Sequence, residues 1–249
     1  MAAEPRVTKI EVIEFEFTIK DWQQVEKIPI LSYAPGSTHQ SRAMGLRVET
    51  DQGVTGEYIG GNAVEYAAMP IVAECVLGES ALAREDIYNR NKLALRQHAR
   101  LGMGVIDIAL WDLAGKYYNA PVYELLGGQR KKLSCYVSTA LGDDHPDGLS
   151  SPEAYADFAE ACLDMGYKAF KIHGWVDAPI EKHVALIHAV GKRVGGKMDL
   201  MLDPFCAIQT FGDALKLGWA CDEYNFFWWE DPYNDGGVSA FAHKNCASS

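Results

Sequence analysis

The chain has 249 residues, a formal net charge of −11, 48% hydrophobic and 23% charged residues. That is globular composition, long enough for one large domain or two ordinary ones, and it excludes global disorder. The acidic balance argues against a nucleic-acid partner or an anionic membrane surface, which favour basic patches, but a local cation or metal can still receive an anionic substrate.

Val7 to Ile19 alternates as a strand, with Ile10, Val12, Phe15 and Phe17 among its apolar members. Lys20 to Arg42 has no clean period and reads as a long loop, either a lid or a surface loop with a few packed aromatics. Ala43 to Glu49 and Gly53 to Tyr58 form a hairpin. Asn62 then caps a helix to about Leu77. Further helices cover Ala83 to Ala99 and Met103 to Tyr118, the last with an apolar stripe of Val105, Ile106, Ala109, Leu110, Leu113 and Ala114. The lone Gly102-x-Gly104 lacks a preceding strand and a third glycine, so it makes no dinucleotide site.

A domain boundary falls near Gly128 to Lys132, separating residues 1–130 from 131–249. Beyond it the pattern is strand then helix, repeated: strands near 133–140, 167–173, 198–203 and 225–230. Helices lie between them at Pro152 to Met165, Ile180 to Val194 and Phe211 to Cys221. Ser151 is an N-cap with Pro152 in the first turn. No apolar run approaches the roughly 18 residues of a membrane span, and Met1 to Arg6 carries no signal-peptide core. The six cysteines form no CxxC pair and read as reduced, mostly buried thiols of a cytoplasmic protein. His145, His183, His188 and His243 read as solvated surface residues.

Three of those strands stop at residues with functional chemistry: Lys171 and His173, then Asp203, then Glu230. They recur at intervals of about 30 residues, the length of one βα unit, so parallel strands would gather them at one rim. Lys171 and His173 share a strand face, with Lys168 on the other. Two carboxylates ending apolar strands either form an oxygen-rich site suited to Mg2+ or Mn2+, or cap helices and pair with lysines. Lys171 or His173 near such a site could act as a base.

Taken in order, several pieces resemble the mandelate racemase and muconate lactonizing enzyme branch of the enolase superfamily. They are Gly104 to Lys116, Pro121 with Leu125-Leu126-Gly127-Gly128, Gly166-Tyr167-Lys168-Ala169-Phe170-Lys171, Asp203, and Trp229-Glu230-Asp231-Pro232. The resemblance implies an α+β capping domain over a (β/α) barrel. It also implies Mg2+-dependent removal of a proton α to a carboxylate through an enediolate, the superfamily chemistry of a Lys or His base with one or two Mg2+ ions. On that basis Asp203 and Glu230 are the metal ligands, and Lys171 and His173 fall on a Lys-x-Lys pair, the histidine being a departure. Phe205 stands where many relatives carry asparagine. The Lys20 to Arg42 segment matches a cap loop that closes over substrate, with Tyr33 and His39 as substrate contacts. The implied reaction is acid-sugar dehydration by a lyase, with racemase or cycloisomerase activity the alternative. The implied partner is a small carboxylate, with homo-oligomers in the full-length form.

The barrel is expected to be incomplete, with about four of eight strands present. Gly237 to His243 begins a helix, and Lys244 to Ser249 loses its pattern in a way that one inserted base would repair, so a frameshift is expected there. The 249-residue chain itself is then expected to be an inactive fragment of an enzyme.

Overall fold

The computed structural model describes residues 4–25 and 30–232. The helix expected over Gly237 to His243, and the break expected after it, lie outside the described residues. Two compact units divide the chain: Met1–Ile19 with Gln40–Lys132, and Lys20–His39 with Leu133–Ser249.

β1 (Val7–Gln24), β2 (Leu31–Thr50) and β3 (Thr55–Ile59) lie in that order across one sheet, and the first unit holds β1 up to Ile19, β2 from Gln40 and all of β3. β2 and β3 are antiparallel, with Gly45 opposite Ile59 and Glu49 opposite Thr55, so the expected hairpin is present. Lys20 to Arg42, however, is mostly strand and not a loop. Apart from buried Ser32, its described residues are exposed or half-buried on both faces. A ribbon wet on both sides needs no apolar alternation, so the period that betrays a strand is missing. Polar cross-strand pairs tie it together: Arg42 meets Glu16 at 2.9 Å, and Asp21 Oδ1 accepts from the Gly36 amide at 2.8 Å.

Asn62 caps α1 (Ala63–Ala67) through a capping box, its side chain accepting from the Val64 and Glu65 amides while Glu65 accepts from the Asn62 amide. The single helix expected to Leu77 breaks at Ala68, and α2 (Met69–Val76) starts afresh. Pro70 explains the break, because a proline has no N–H for a continuing ladder and is tolerated in a first turn. α3 (Arg84–Ala94) ends before the expected Ala99. α4 (Met103–Tyr118) buries the whole predicted stripe, Val105 to Ala114. β3 lies close against it, since a Cβ on Gly56 would run into the Ala109 carbonyl. α5 (Val122–Leu125) follows.

The second unit alternates: β4 (Val137–Ser138), α6 (Pro152–Asp164), β5 (Ala169–Ile172), α7 (Ile180–Val194), β6 (Asp199–Leu202), α8 (Phe211–Glu223) and β7 (Trp228–Trp229). Among the described residues these strands make one parallel sheet in the order β4-β5-β6-β7. Ser138 sits beside Lys171, Lys171 beside Met201, and Leu202 beside Trp229. Ser151 caps α6 by accepting from the Ala154 amide at 3.1 Å. The core joins Phe170, Ile172, Leu200 and Leu202 of the sheet to Leu186, Ile187 and Val190 of α7 and Leu217 of α8.

Two surface expectations fail here. His183 is buried, with 3% exposure, on the stripe of α7 that also carries Ile187, Val190 and Val194. Burial lowers its pKa, outweighing the backbone hydrogen bond that favours the charged ring. His145 and His188 are half-buried, and His188 Nδ1 lies 3.1 Å from the Tyr224 hydroxyl. His243 lies outside the described residues. Among the cysteines, Cys162 and Cys221 are buried, but Cys135 and Cys206 are exposed. No helix among the described residues is long and apolar enough to cross a membrane.

Candidate active site

Parallel strands all present their C-terminal ends on one side, and that side of β5, β6 and β7 carries the polar cluster. Lys171 reaches it from inside β5, and the backbone continues the ladder past the strands: the Asp203 amide donates to the Ile172 carbonyl at 2.9 Å and the Glu230 amide to Leu202 at 2.8 Å. This register sets the three side chains next to each other.

Lys171 Nζ donates to Asp203 Oδ2 and to Glu230 Oε2, each at 3.1 Å. The lysine and Asp203 are buried, their side chains 9% and 7% exposed, whereas the Glu230 side chain is 41% exposed. Burial acts to lower the Lys171 pKa, but the hydrogen bonds from Asp203 and Glu230 and their charges outweigh it, and the ammonium is held above lysine's ordinary value. For Asp203, burial acts to raise the pKa. The Lys171 hydrogen bond, the Phe205 amide donating to Oδ1 at 3.0 Å, and the neighbouring charges prevail and keep it below the usual carboxylate range.

His173 closes the cluster. Its Nε2 lies 2.8 Å from Asp203 Oδ2, and its Nδ1 lies 2.7 Å from the Thr139 carbonyl oxygen, which can only accept. Nδ1 therefore carries a proton, and Nε2, facing an ionised Asp203 oxygen that can only accept, is a donor there in the metal-free cluster. The Thr139 hydroxyl accepts from the His173 amide at 2.8 Å, and the Tyr155 hydroxyl donates to the His173 carbonyl. Thr139 and Tyr155 thus fix both backbone and ring of His173. Trp228 Nε1 donates to Glu230 Oε2 at 3.2 Å, and the Tyr136 ring centroid is 5.7 Å from Lys171 Nζ. None of these four supporting residues was singled out from sequence. For Thr139 a signal existed: it directly follows β4, next to Ser138, the register neighbour of Lys171.

The structure therefore brings together Lys171, His173, Asp203 and Glu230. Tyr33 and His39 stand apart from them, on β2 and not on a loop. Tyr33 packs edge-on to Trp22 at 6.4 Å and lines a cavity of about 550 Å3 that reaches Ser138 and Thr139. It also lines a larger space, about 910 Å3, walled by the loops that follow β4 and β5. His39, half-buried, lines neither.

The cluster offers a partial fit to a divalent metal ion. Two carboxylate oxygens converge on one cationic atom, Lys171 Nζ, which stands in for the charge a metal would bring. The donor set is oxygen, which suits Mg2+ and not zinc. Among the described residues no group of three or more His, Cys, Asp or Glu is arranged as a metal cage. The fit is to an ion that keeps part of its water shell, as Mg2+ commonly does.

Residues 16–127 match the mandelate racemase / muconate lactonizing enzyme N-terminal domain, and residues 154–246 match the enolase C-terminal domain-like family. A D-galactarolactone cycloisomerase from Agrobacterium fabrum is 28% identical over 79% of this chain and 53% of its own length. A D-xylonate dehydratase from Haloferax volcanii is 28% identical over 75% of this chain and 50% of its own. A solved D-glucarate dehydratase from Agrobacterium tumefaciens, complexed with magnesium, superposes with a TM-score of 0.87 at 30% identity, covering 98% of this chain and 65% of that one. The chain thus spans about half the length of the curated relatives it matches. An N-terminal capping domain followed by a barrel domain, each matched in its own right, identifies the chain as a member of the mandelate racemase / muconate lactonizing enzyme family of the enolase superfamily.

Proposed function

We propose that the strand-end cluster removes a proton α to the carboxylate of a sugar acid, through an enediolate, in a dehydration reaction. One observation carries this reading: two carboxylates, buried Asp203 and half-exposed Glu230, converge on Lys171, and Asp203 also meets His173, so the pair lies beside two candidate proton carriers. Asp203 and Glu230 would hold Mg2+, with Mn2+ the other ion of suitable chemistry. When bound, the ion supplies positive charge for the substrate carboxylate, whose oxygens gain charge as the weakly acidic α-proton leaves.

The remaining roles belong to side chains of this chain. Lys171 is held as an ammonium by the two carboxylates, which suits electrostatic stabilisation and proton donation better than proton abstraction. His173 is the candidate to take the α-proton on Nε2, which requires that Nε2 first give up its proton and its contact with Asp203 Oδ2, while the Thr139 carbonyl keeps Nδ1 protonated and the ring fixed. Tyr33, over a space adjoining Thr139, is the better placed of the two proposed substrate contacts. The names of the relatives, dehydratases of sugar acids together with a cycloisomerase, support this reaction class, and racemisation or cycloisomerisation is the alternative outcome of the same first step.

A second reading is favoured by the length ratio to those relatives. The four strands would form part of a barrel whose remaining groups belong to a longer protein, and turnover would belong to that protein. One experiment separates the readings: exchange of the α-proton of a sugar acid with solvent deuterium, followed by NMR, with and without Mg2+. Mg2+-dependent exchange that is lost in Asp203→Asn supports the first. Mg2+ binding without exchange supports the second. Exchange surviving both Asp203→Asn and Glu230→Gln contradicts both.

A further inference from the structure

The larger of the two spaces, about 910 Å3, has the volume of a small-molecule site. No residue of the strand-end cluster lines it, but its walls include the loops that continue β4 and β5 past Thr139 and His173. Leu141 is two residues beyond Thr139 and Trp175 two beyond His173, so neither Cα can lie more than ~7 Å from those residues. Trp175 is a fixed wall: its Nε1 donates to the Asp143 carbonyl at 3.2 Å, Tyr155 meets it edge-on at 5.3 Å, and a Cβ on Gly142 would collide with its indole.

The charged groups of this space are unequal in sign and in freedom. Lys182 lies with Nζ 3.6 Å from the centroid of the Trp175 ring, so its ammonium is engaged by the π-face. Asp143 is committed to the loop backbone, accepting from the His145 amide at 2.8 Å and the Leu149 amide at 2.9 Å. Asp144 and Asp177 are exposed and also line the space. His145 Nδ1 accepts from the Asp147 amide at 3.2 Å, so a neutral ring carries its proton on Nε2 and is a hydrogen-bond donor there. Among the described residues the lining holds three carboxylates, the polar groups of Ser32, Tyr33 and His145, and one cation, Lys182, set on the Trp175 ring.

We propose that this space receives the end of the substrate remote from the reacting carboxylate, and that Asp144 and Asp177 reject a second carboxylate there. The protein would select sugar acids with one carboxylate over those with two. This rests on the proposed binding of a carboxylate at Asp203 and Glu230, and adds a discrimination that the reaction class leaves open. Repulsion works here as it does in other specificity sites, by penalising the competitor.

The test is calorimetric titration of the Mg2+-loaded 249-residue chain with D-gluconate and with D-glucarate at low ionic strength. The expected result is at least tenfold tighter binding of D-gluconate. The preference should shrink several-fold in an Asp144→Asn/Asp177→Asn variant whose Mg2+ affinity is unchanged, and also shrink as salt is raised. Equal or tighter binding of D-glucarate overturns the inference and leaves the carboxylate site standing. So does a preference that survives the double variant. Binding of Mg2+ but of neither ligand overturns the inference together with the proposed substrate class.

Discussion

Replacing Lys171 by methionine removes the one cation that, among the described residues, Asp203 and Glu230 share, and leaves most of the side-chain volume in place. Breaking a buried ion pair by deleting one partner typically costs about 3–5 kcal/mol, because the other charge stays buried. The Asp203 side chain is only 7% exposed, so it belongs in that class. His173 remains within 2.8 Å as a second partner, and Glu230 is 41% exposed and free to hydrate. The loss should therefore fall at the low end, about 3 kcal/mol. Mg2+ should restore much of it, since an ion at 100 times its Kd stabilises by about 2.7 kcal/mol. In the wild type the ion must displace the ammonium, so Mg2+ should stabilise Lys171→Met more than the wild type. Urea denaturation of both proteins, with and without Mg2+, measures this directly. A loss below about 1 kcal/mol, or equal stabilisation of both proteins by Mg2+, would refute the shared-cation reasoning.

The same cluster predicts a pH dependence. Asp203 has a depressed pKa, so its contribution is present above the unfolded carboxylate value of about 3.9 and is lost as pH falls through the folded value. Lys171 has a raised pKa, so its contribution is present below about 10.4 and is lost as pH rises through the folded value. Stability of the metal-free chain measured against pH should lose its acid limb in Asp203→Asn relative to wild type; an unchanged limb would count against the pairing. Gly174→Ala would bring a Cβ to 2.7 Å from His183 Nδ1, under a buried ring, and should cost about 1–3 kcal/mol in thermal or urea unfolding. Phe205 has a left-handed φ of 57° beside Asp203, and Phe205→Asn should stabilise the chain by up to about 1 kcal/mol, because asparagine tolerates that conformation. A drop in Tm for that variant would show that the ring's edge-on contact with His173, at 6.3 Å, outweighs the strain.

What could be read from sequence follows the strength of each local signal. β5 and β6 were legible as largely buried apolar runs and β7 as a half-buried aromatic run, each cut off by polar residues, so Lys171, His173, Asp203 and Glu230 stood out at the strand ends. The capping box at Asn62 and the stripe of α4 were legible for similar reasons of spacing. The distal part of β1 and β2 was not, because a ribbon exposed on both faces carries no period. Tyr33 and His39 were in consequence assigned to a loop. The burial of His183 was available in the sequence: with Ile187, Val190 and Val194 it repeats at helical spacing, and a histidine on that stripe had to go inside. The partner of Asp203 was hidden for a different reason. Lys171 is 32 residues earlier, and only the parallel register of β5 with β6 makes them neighbours.

We propose that Asp203 and Glu230 together bind one divalent cation next to His173 and Lys171. Isothermal titration of the metal-free chain with Mg2+ tests it most directly. The account predicts a single site of one ion per chain, weakened at least tenfold by Asp203→Asn and by Glu230→Gln and tightened by Lys171→Met. Wild-type affinity retained in both carboxylate variants, or weaker binding in Lys171→Met, would contradict it.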